Sequence, residues 1–291
     1  MSGKINIKYL GGLLIVLSAI FYGSASISVK LSVGYLTLWQ TAMGRFLLGL
    51  ILIPFLAWGF KFDLMGKHRG LLLFRGIANT ISFLCLIMAL SKIPLSIAHV
   101  LFYLWPAFSC MMSPWVAGEP IKKVEWLFVI IALMGMVLIL WQHSSTEGLS
   151  VGHLFALCAS FFTGLAVILL RPLGRDNNAF TLYFYLCVAG VIICAGPILS
   201  KGSPCLPVSV NGWLLLMAVA SFAMTGQVLL NQGMKFLNAP KAGVLMMIEV
   251  LITVSFGVIF LGESLALKTI CGACLILGSG VALVLVPTRG T

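Results

Sequence analysis

Residues 232–263 read QGMKFLNAPKAGVLMMIEVLITVSFGVIFLGE, and the reading of this stretch decides the fold. From Ala242 to Leu261 the only charged side chain is Glu249, set in a run otherwise suited to lipid. A carboxylate at the centre of such a helix costs about 2.5–3.5 kcal/mol on insertion scales unless something compensates it, so its presence needs a reason. The stretch also has a degenerate earlier copy. Moved back by 144 positions (263 − 119), Ala242, Val244, Leu245, Gly262 and Glu263 fall on Ala98, Val100, Leu101, Gly118 and Glu119, and Leu277 and Val281 fall on Leu133 and Val137. The repeat predicts a duplicated protein with halves 1–145 and 146–291.

Composition places both halves in a bilayer. Hydrophobic residues make up 61% of the 291 and charged residues 9%, with a mean hydropathy of +1.13, far from the composition of a soluble globule. A helix needs about 20 residues to cross roughly 30 Å of hydrocarbon. Apolar runs fall at 10–29, 35–58, 70–90, 97–116, 124–141, 151–170, 179–199, 212–232, 240–261 and 267–286. Ten spans nearly exhaust the chain and leave no room for a soluble domain. The eight cysteines are scattered, and Cys271 and Cys274 form a C-x-x-C inside an apolar run with no His partner, so neither a disulfide framework nor a metal site is expected.

The net charge of +11 would suggest nucleic acid in a soluble protein, but here the cations sit between apolar runs and report topology. With the N-terminus inside, twelve Lys and Arg lie on the cytoplasmic side and four, Lys30, Lys92, Lys201 and Lys268, lie outside. Both termini are then cytoplasmic. Each half holds an odd number of spans, so the second half enters the membrane upside down relative to the first. The predicted fold is an all-α integral membrane protein, ten transmembrane helices in two inverted five-helix repeats around a central cavity. Secondary transporters share this plan, with the substrate site near the midplane.

Several motifs carry a family resemblance: Phe21-Tyr-Gly-Ser24 followed by Lys30, Arg45-Phe46, Ile93-Pro-Leu95, Ala117-Gly-Glu119 and Phe260-Leu-Gly-Glu263. Together with the five-plus-five repeat they resemble the drug/metabolite transporter superfamily, EamA-like branch, over essentially the whole chain. The resemblance implies a carrier of amino acids or related amphipathic metabolites, often an exporter, in a bacterial inner membrane. Relatives often carry Glu-Pro in the ninth span. Here Val250 follows Glu249, so a straighter ninth helix is expected, whereas the fourth span keeps Trp105-Pro106.

The candidate substrate or ion pathway is Glu249, His99, Tyr103, Gln227, Asn231, Asn79, Tyr22, Trp105 and Met246. Glu249 lies near the midplane, either as a proton- or cation-binding group or as a hydrogen-bonded packing residue. His99 and Tyr103, at i and i+4 with Pro106 on the same face, are read as an aromatic wall. Pro106 deprives the carbonyl of Phe102 of its helical partner and is expected to kink the span. Gln227 and Asn231 form an amide stripe, with Asn79 and Tyr22 facing it. Arg45 is assigned to a structural role with Glu119 and Glu263 at helix ends, its cation snorkelling to the interface, and Arg75 is read as an interfacial anchor. Glu119 and Glu263 are expected to hold the N–H groups of the next helix. Gly135 and Gly272 permit close helix approach, either inside the chain or between protomers.

There is no H-E-x-x-H, no G-x-S-x-G and no phosphate-binding loop, so an enzyme is not expected, and no cofactor or resident metal is implied. The expected partners are a small-molecule substrate and the lipid bilayer, with possible proton coupling and no nucleic acid, as a monomer or homodimer. The alternative function is uptake or exchange of a nucleotide derivative or S-adenosylmethionine.

Overall fold

A computed structural model describes residues 2–60, 63–116, 123–146, 150–201, 207, 209–236 and 245–285. Among these residues every regular element is a helix. In the first half these are α1 (Ser2–Ser32), α2 (Leu38–Phe60), α3 (Arg69–Lys92), α4 (Leu95–Phe102), α5 (Trp105–Val116) and α6 (Lys123–Thr146). In the second they are α7 (Val151–Ile168), α8 (Leu170–Asp176), α9 (Ala179–Lys201), α10 (Val210–Gly233), α11 (Ile248–Leu261) and α12 (Leu267–Leu285). Helices are the element that satisfies every backbone N–H and C=O within one segment, which an apolar solvent requires.

Among the described residues, six helical segments are long and apolar enough to cross a membrane: Leu10–Ser32, Arg69–Lys92, Leu95–Val116, Val151–Ile168, Ala179–Leu199 and Val210–Gly233. Four further apolar stretches, Leu38–Pro54, Trp126–Ile139, Ile248–Leu261 and Leu267–Ala282, are shorter. Large apolar side chains such as Ile51, Leu154, Ile192, Leu214 and Ile259 are exposed along these helices. Such a surface would aggregate in water and is at home against lipid.

The helix packing repeats itself. Helix α1 packs on α10 and α3 on α7; α3 packs on α9 and α2 on α10; α1 packs on α11, and α7 on α4 and α5. In each case, exchanging every helix for the one the sequence repeat pairs with it turns one contact into the other. The remaining large contacts, α2 with α9, α6 with α12 and α4 with α11, map onto themselves. Of these, α6 and α12 cross where Gly135 and Gly272 meet: a Cβ at either glycine would lie 2.7 Å from the other's carbonyl oxygen. These glycines therefore serve a contact inside one chain.

The fourth apolar run is two helices. The chain turns at Tyr103 and Leu104, between α4 and α5, one residue before the pair Trp105-Pro106. The ninth run is interrupted as well, at a residue that keeps helical dihedrals. Residues 245 and 246 are helical, the chain turns at Met247, and α11 begins at Ile248. Met247 is the repeat counterpart of Tyr103 (247 − 144 = 103), so both halves are interrupted at the same register, with proline beside the break in one half only.

Candidate functional site

A central cavity, partly open to the outside, is walled by α1, α2, α3, α7, α10 and both interrupted segments. Glu249, Tyr103, Trp105, Met246, Gln227, Asn79 and Tyr22 all line it, so seven residues from separate stretches of sequence meet there. Glu249 is 4% exposed and belongs to the first turn of α11. Its Oε2 lies 2.9 Å from the Tyr103 hydroxyl, which also meets, more closely, the carbonyl oxygen of Met246. That carbonyl lies at the α11 interruption, so the interruption of one half is bonded by a side chain from the interruption of the other. Thr253 turns inward and donates to the Glu249 carbonyl at 3.0 Å.

Tyr103 has a single hydroxyl proton and two acceptor lone pairs. Its proton can go to the Met246 carbonyl or to the Glu249 carboxyl group, one at a time, so the two acceptors compete for one donor.

A second polar group faces the first across the cavity. Tyr22 donates to Gln227 Oε1 at 2.6 Å, Asn79 Nδ2 approaches the same oxygen at 3.4 Å, and Gln227 Nε2 donates to Asn231 Oδ1 at 3.2 Å. Asn231 in turn donates to the carbonyl of Ala179 at 3.2 Å and sits behind Gln227, outside the cavity lining. It positions the amide rather than presenting its own. Ser18 on α1 donates to the Gly226 carbonyl at 2.7 Å and joins α1 to α10 at the same level.

Three other positions differ from the sequence reading. His99 is fully buried but does not line the cavity; it lies behind Glu249 with Nδ1 3.7 Å from Oε1, within ion-pair range but beyond a hydrogen bond, and neither ring nitrogen has a hydrogen-bond partner. The i, i+4 alignment with Tyr103 itself holds, since Tyr103 N–H donates to the His99 carbonyl at 3.0 Å and both side chains approach Glu249. Arg45 is neither at a helix end nor at the interface: it is 4% exposed and lines the cavity, its guanidinium carbon 3.9 Å from the centroid of the Phe83 ring. Arg75 is 2% exposed and lines the cavity too, its Nε donating to the Ala166 carbonyl at 3.2 Å. Depth along a helix could be read from sequence, but the direction each side chain takes could not.

Glu263 does hold a helix terminus, although not that of the next helix. The chain leaves α11 through Gly262, whose φ of 66° suits glycine, and the Glu263 carboxylate reaches α4. Leu95 N–H donates to Oε1 at 2.6 Å, while Ser96 N–H and Ser96 Oγ donate to Oε2 at 3.0 and 2.7 Å. The C-terminal end of α3 is held in a complementary way: Lys30 Nζ donates to the carbonyls of Leu90 and Ile93 at 2.8 and 2.9 Å. Glu119, the repeat partner of Glu263, lies outside the described residues. No group of three His, Cys, Asp or Glu among the described residues could hold a metal.

The EamA-like transporter family model matches residues 9–141 and again 150–286, both halves of the repeat. The chain belongs to the EamA-like transporter family. This membership and the apolar helices make it an integral membrane protein that transports small solutes. It is 25% identical over 274 residues to the pseudopaline exporter CntI of Pseudomonas aeruginosa, covering 94% of this chain and 95% of that one. It is 28% identical over 296 residues to a transporter of Helicobacter pylori strain 26695, covering 96% of each. A solved structure with 16% identity superposes at a TM-score of 0.65 over 94% of both chains and shares the fold.

Proposed function

We propose that this EamA-like protein is a secondary carrier of ten spans, two inverted halves, 1–145 and 146–291, that rock about the cavity and expose it to each side of a bacterial inner membrane in turn. Both termini are cytoplasmic. The cargo is a small amphipathic metabolite, moved outward. The supporting observation is the cavity itself, lined from both halves, with Glu249 beside the interruptions of both and joined to them through Tyr103. Interrupted helices flanking a midplane site are the device by which inverted-repeat carriers bind and release cargo. The P. aeruginosa relative, an exporter matched along nearly its whole length, favours the outward direction.

Glu249 couples flux to protons in this proposal. It is neutral while bonded to Tyr103 and ionises when rocking separates the two interruptions and admits water. Protein reconstituted in vesicles is expected to move solute faster under an imposed proton gradient. Glu249→Gln is expected to abolish the gradient-driven component while the protein still elutes as a folded species. A gradient-driven flux unchanged in that variant would remove the carboxyl group from the mechanism.

A further inference from the structure

The charges that line the cavity do not cancel. Arg45 and Arg75 both line it, each at least 96% buried, and no carboxylate among the described residues lies within the 4.0 Å of an ion pair from either. The lining contains one acidic group, Glu249, against the two guanidiniums, and Tyr103 already donates to it. A buried, uncompensated guanidinium is costly, and two sharing one cavity add repulsion to desolvation.

Both guanidiniums are oriented without being used up. The Arg45 face lies on the Phe83 ring, a cation–π contact that leaves the in-plane N–H donors free, and its Nε has no hydrogen-bond partner. The Arg75 stem is fixed by one bond from Nε to the Ala166 carbonyl, which leaves the terminal nitrogens to face the space. A planar fork of this kind matches a carboxylate in bidentate fashion. Around the forks the lining is largely apolar and aromatic, with Phe83, Phe102 and Trp105.

We infer that the cavity, in the state described, binds an organic anion: a carboxylate paired with Arg45 and Arg75, joined to an apolar or aromatic body and lacking a free ammonium group. A free ammonium would meet two cations and a single acidic group that already has Tyr103 as its partner. This inference rests on the carrier reading and names its substrate class, setting acylated amino acids and related carboxylates apart from free amino acids and from cations.

The test uses three probes of one shape in the purified protein: N-acetylphenylalanine (anion), phenylalanine (zwitterion) and phenylalanine amide (cation), with affinities from isothermal titration. The anion is expected to bind about tenfold or more tightly than the zwitterion, with the cation weakest. Arg45→Gln and Arg75→Gln should each weaken anion binding about tenfold or more and narrow the spread between probes, and Arg45→Lys should restore part of it. A structural role for Arg45 would instead lower all three affinities alike. Should Arg75→Gln fail to fold, the two Arg45 variants decide alone. No saturable binding of the anion, preference for the amide, or an unchanged spread in Arg45→Gln overturns the inference. Flux in vesicles separates the two claims: charge-selective binding without flux refutes the carrier and leaves the anion site, and flux of the cation independent of both arginines does the reverse.

Discussion

At Tyr103 one hydroxyl serves two masters, the Met246 carbonyl and Glu249. Tyr103→Phe leaves both without their partner, and a buried polar group so abandoned costs about 1–3 kcal/mol. A corresponding drop in thermal stability is expected. The infrared spectrum gives the sharper reading: a protonated-carboxyl stretch, absent in Glu249→Gln, should move to higher frequency in Tyr103→Phe as its hydrogen bond is lost. A band that does not move would show that Glu249 has another partner. Glu249 itself was legible in the sequence because a lone charge in an apolar run stands out whatever its surroundings. Arg45 and Arg75 were equally conspicuous, yet their surroundings decide their meaning. A long cationic side chain near mid-span can snorkel or turn inward, and only the Phe83 ring and the Ala166 carbonyl show that these two turn inward.

At the scale of the element, two interruptions and one clamp shape the site. Proline beside Tyr103 announced the first interruption. The second, at Met247, has no proline and no sequence signal beyond its register with the first, so it appears only in the structure. The Leu-Gly-Glu ending was legible as a helix-end device, and Gly262 fits it, but the helix it serves is set by packing of α11 on α4 rather than by chain order. Glu263→Ala removes the acceptor for three donors at the start of α4. It is expected to destabilise the protein by about 1–3 kcal/mol, with Glu263→Gln intermediate because one oxygen remains. Thermal unfolding in detergent reads this directly, and equal melting temperatures for wild type and Glu263→Ala would show that water or another group caps α4 equally well.

At the scale of the molecule, the halves are stitched at the end where α2 meets α3. Asn177 accepts from Lys67 N–H at 2.7 Å and donates to its carbonyl at 3.3 Å, Thr181 donates to the Asp63 carbonyl at 2.6 Å, and Tyr185 to that of Met65 at 2.9 Å. The connection between α2 and α3 is thus held by the start of α9. Asn177→Ala should loosen it, and trypsin should cleave faster after Lys67 in vesicles that present this face. An unchanged rate would mean that Thr181 and Tyr185 hold it alone. Seven matched residues at a 144-residue shift suggested a duplication, and the helix contacts pair up in a way compatible with it. The cavity's contents were readable only as a set of polar residues; their meeting in one space depends on contacts between helices far apart in sequence.

The Glu263 clamp also fixes an order of assembly. Leu95 and its acceptor are 168 positions apart, so a ribosome adding about 5–20 residues per second completes α4 roughly 8–34 s before the carboxylate that caps it exists. During that interval the leading N–H groups of α4 lack this carboxylate and are open to another acceptor. A truncated first half is therefore expected to be held back rather than exported to its final membrane state, and supplying the second half as a separate chain should release it.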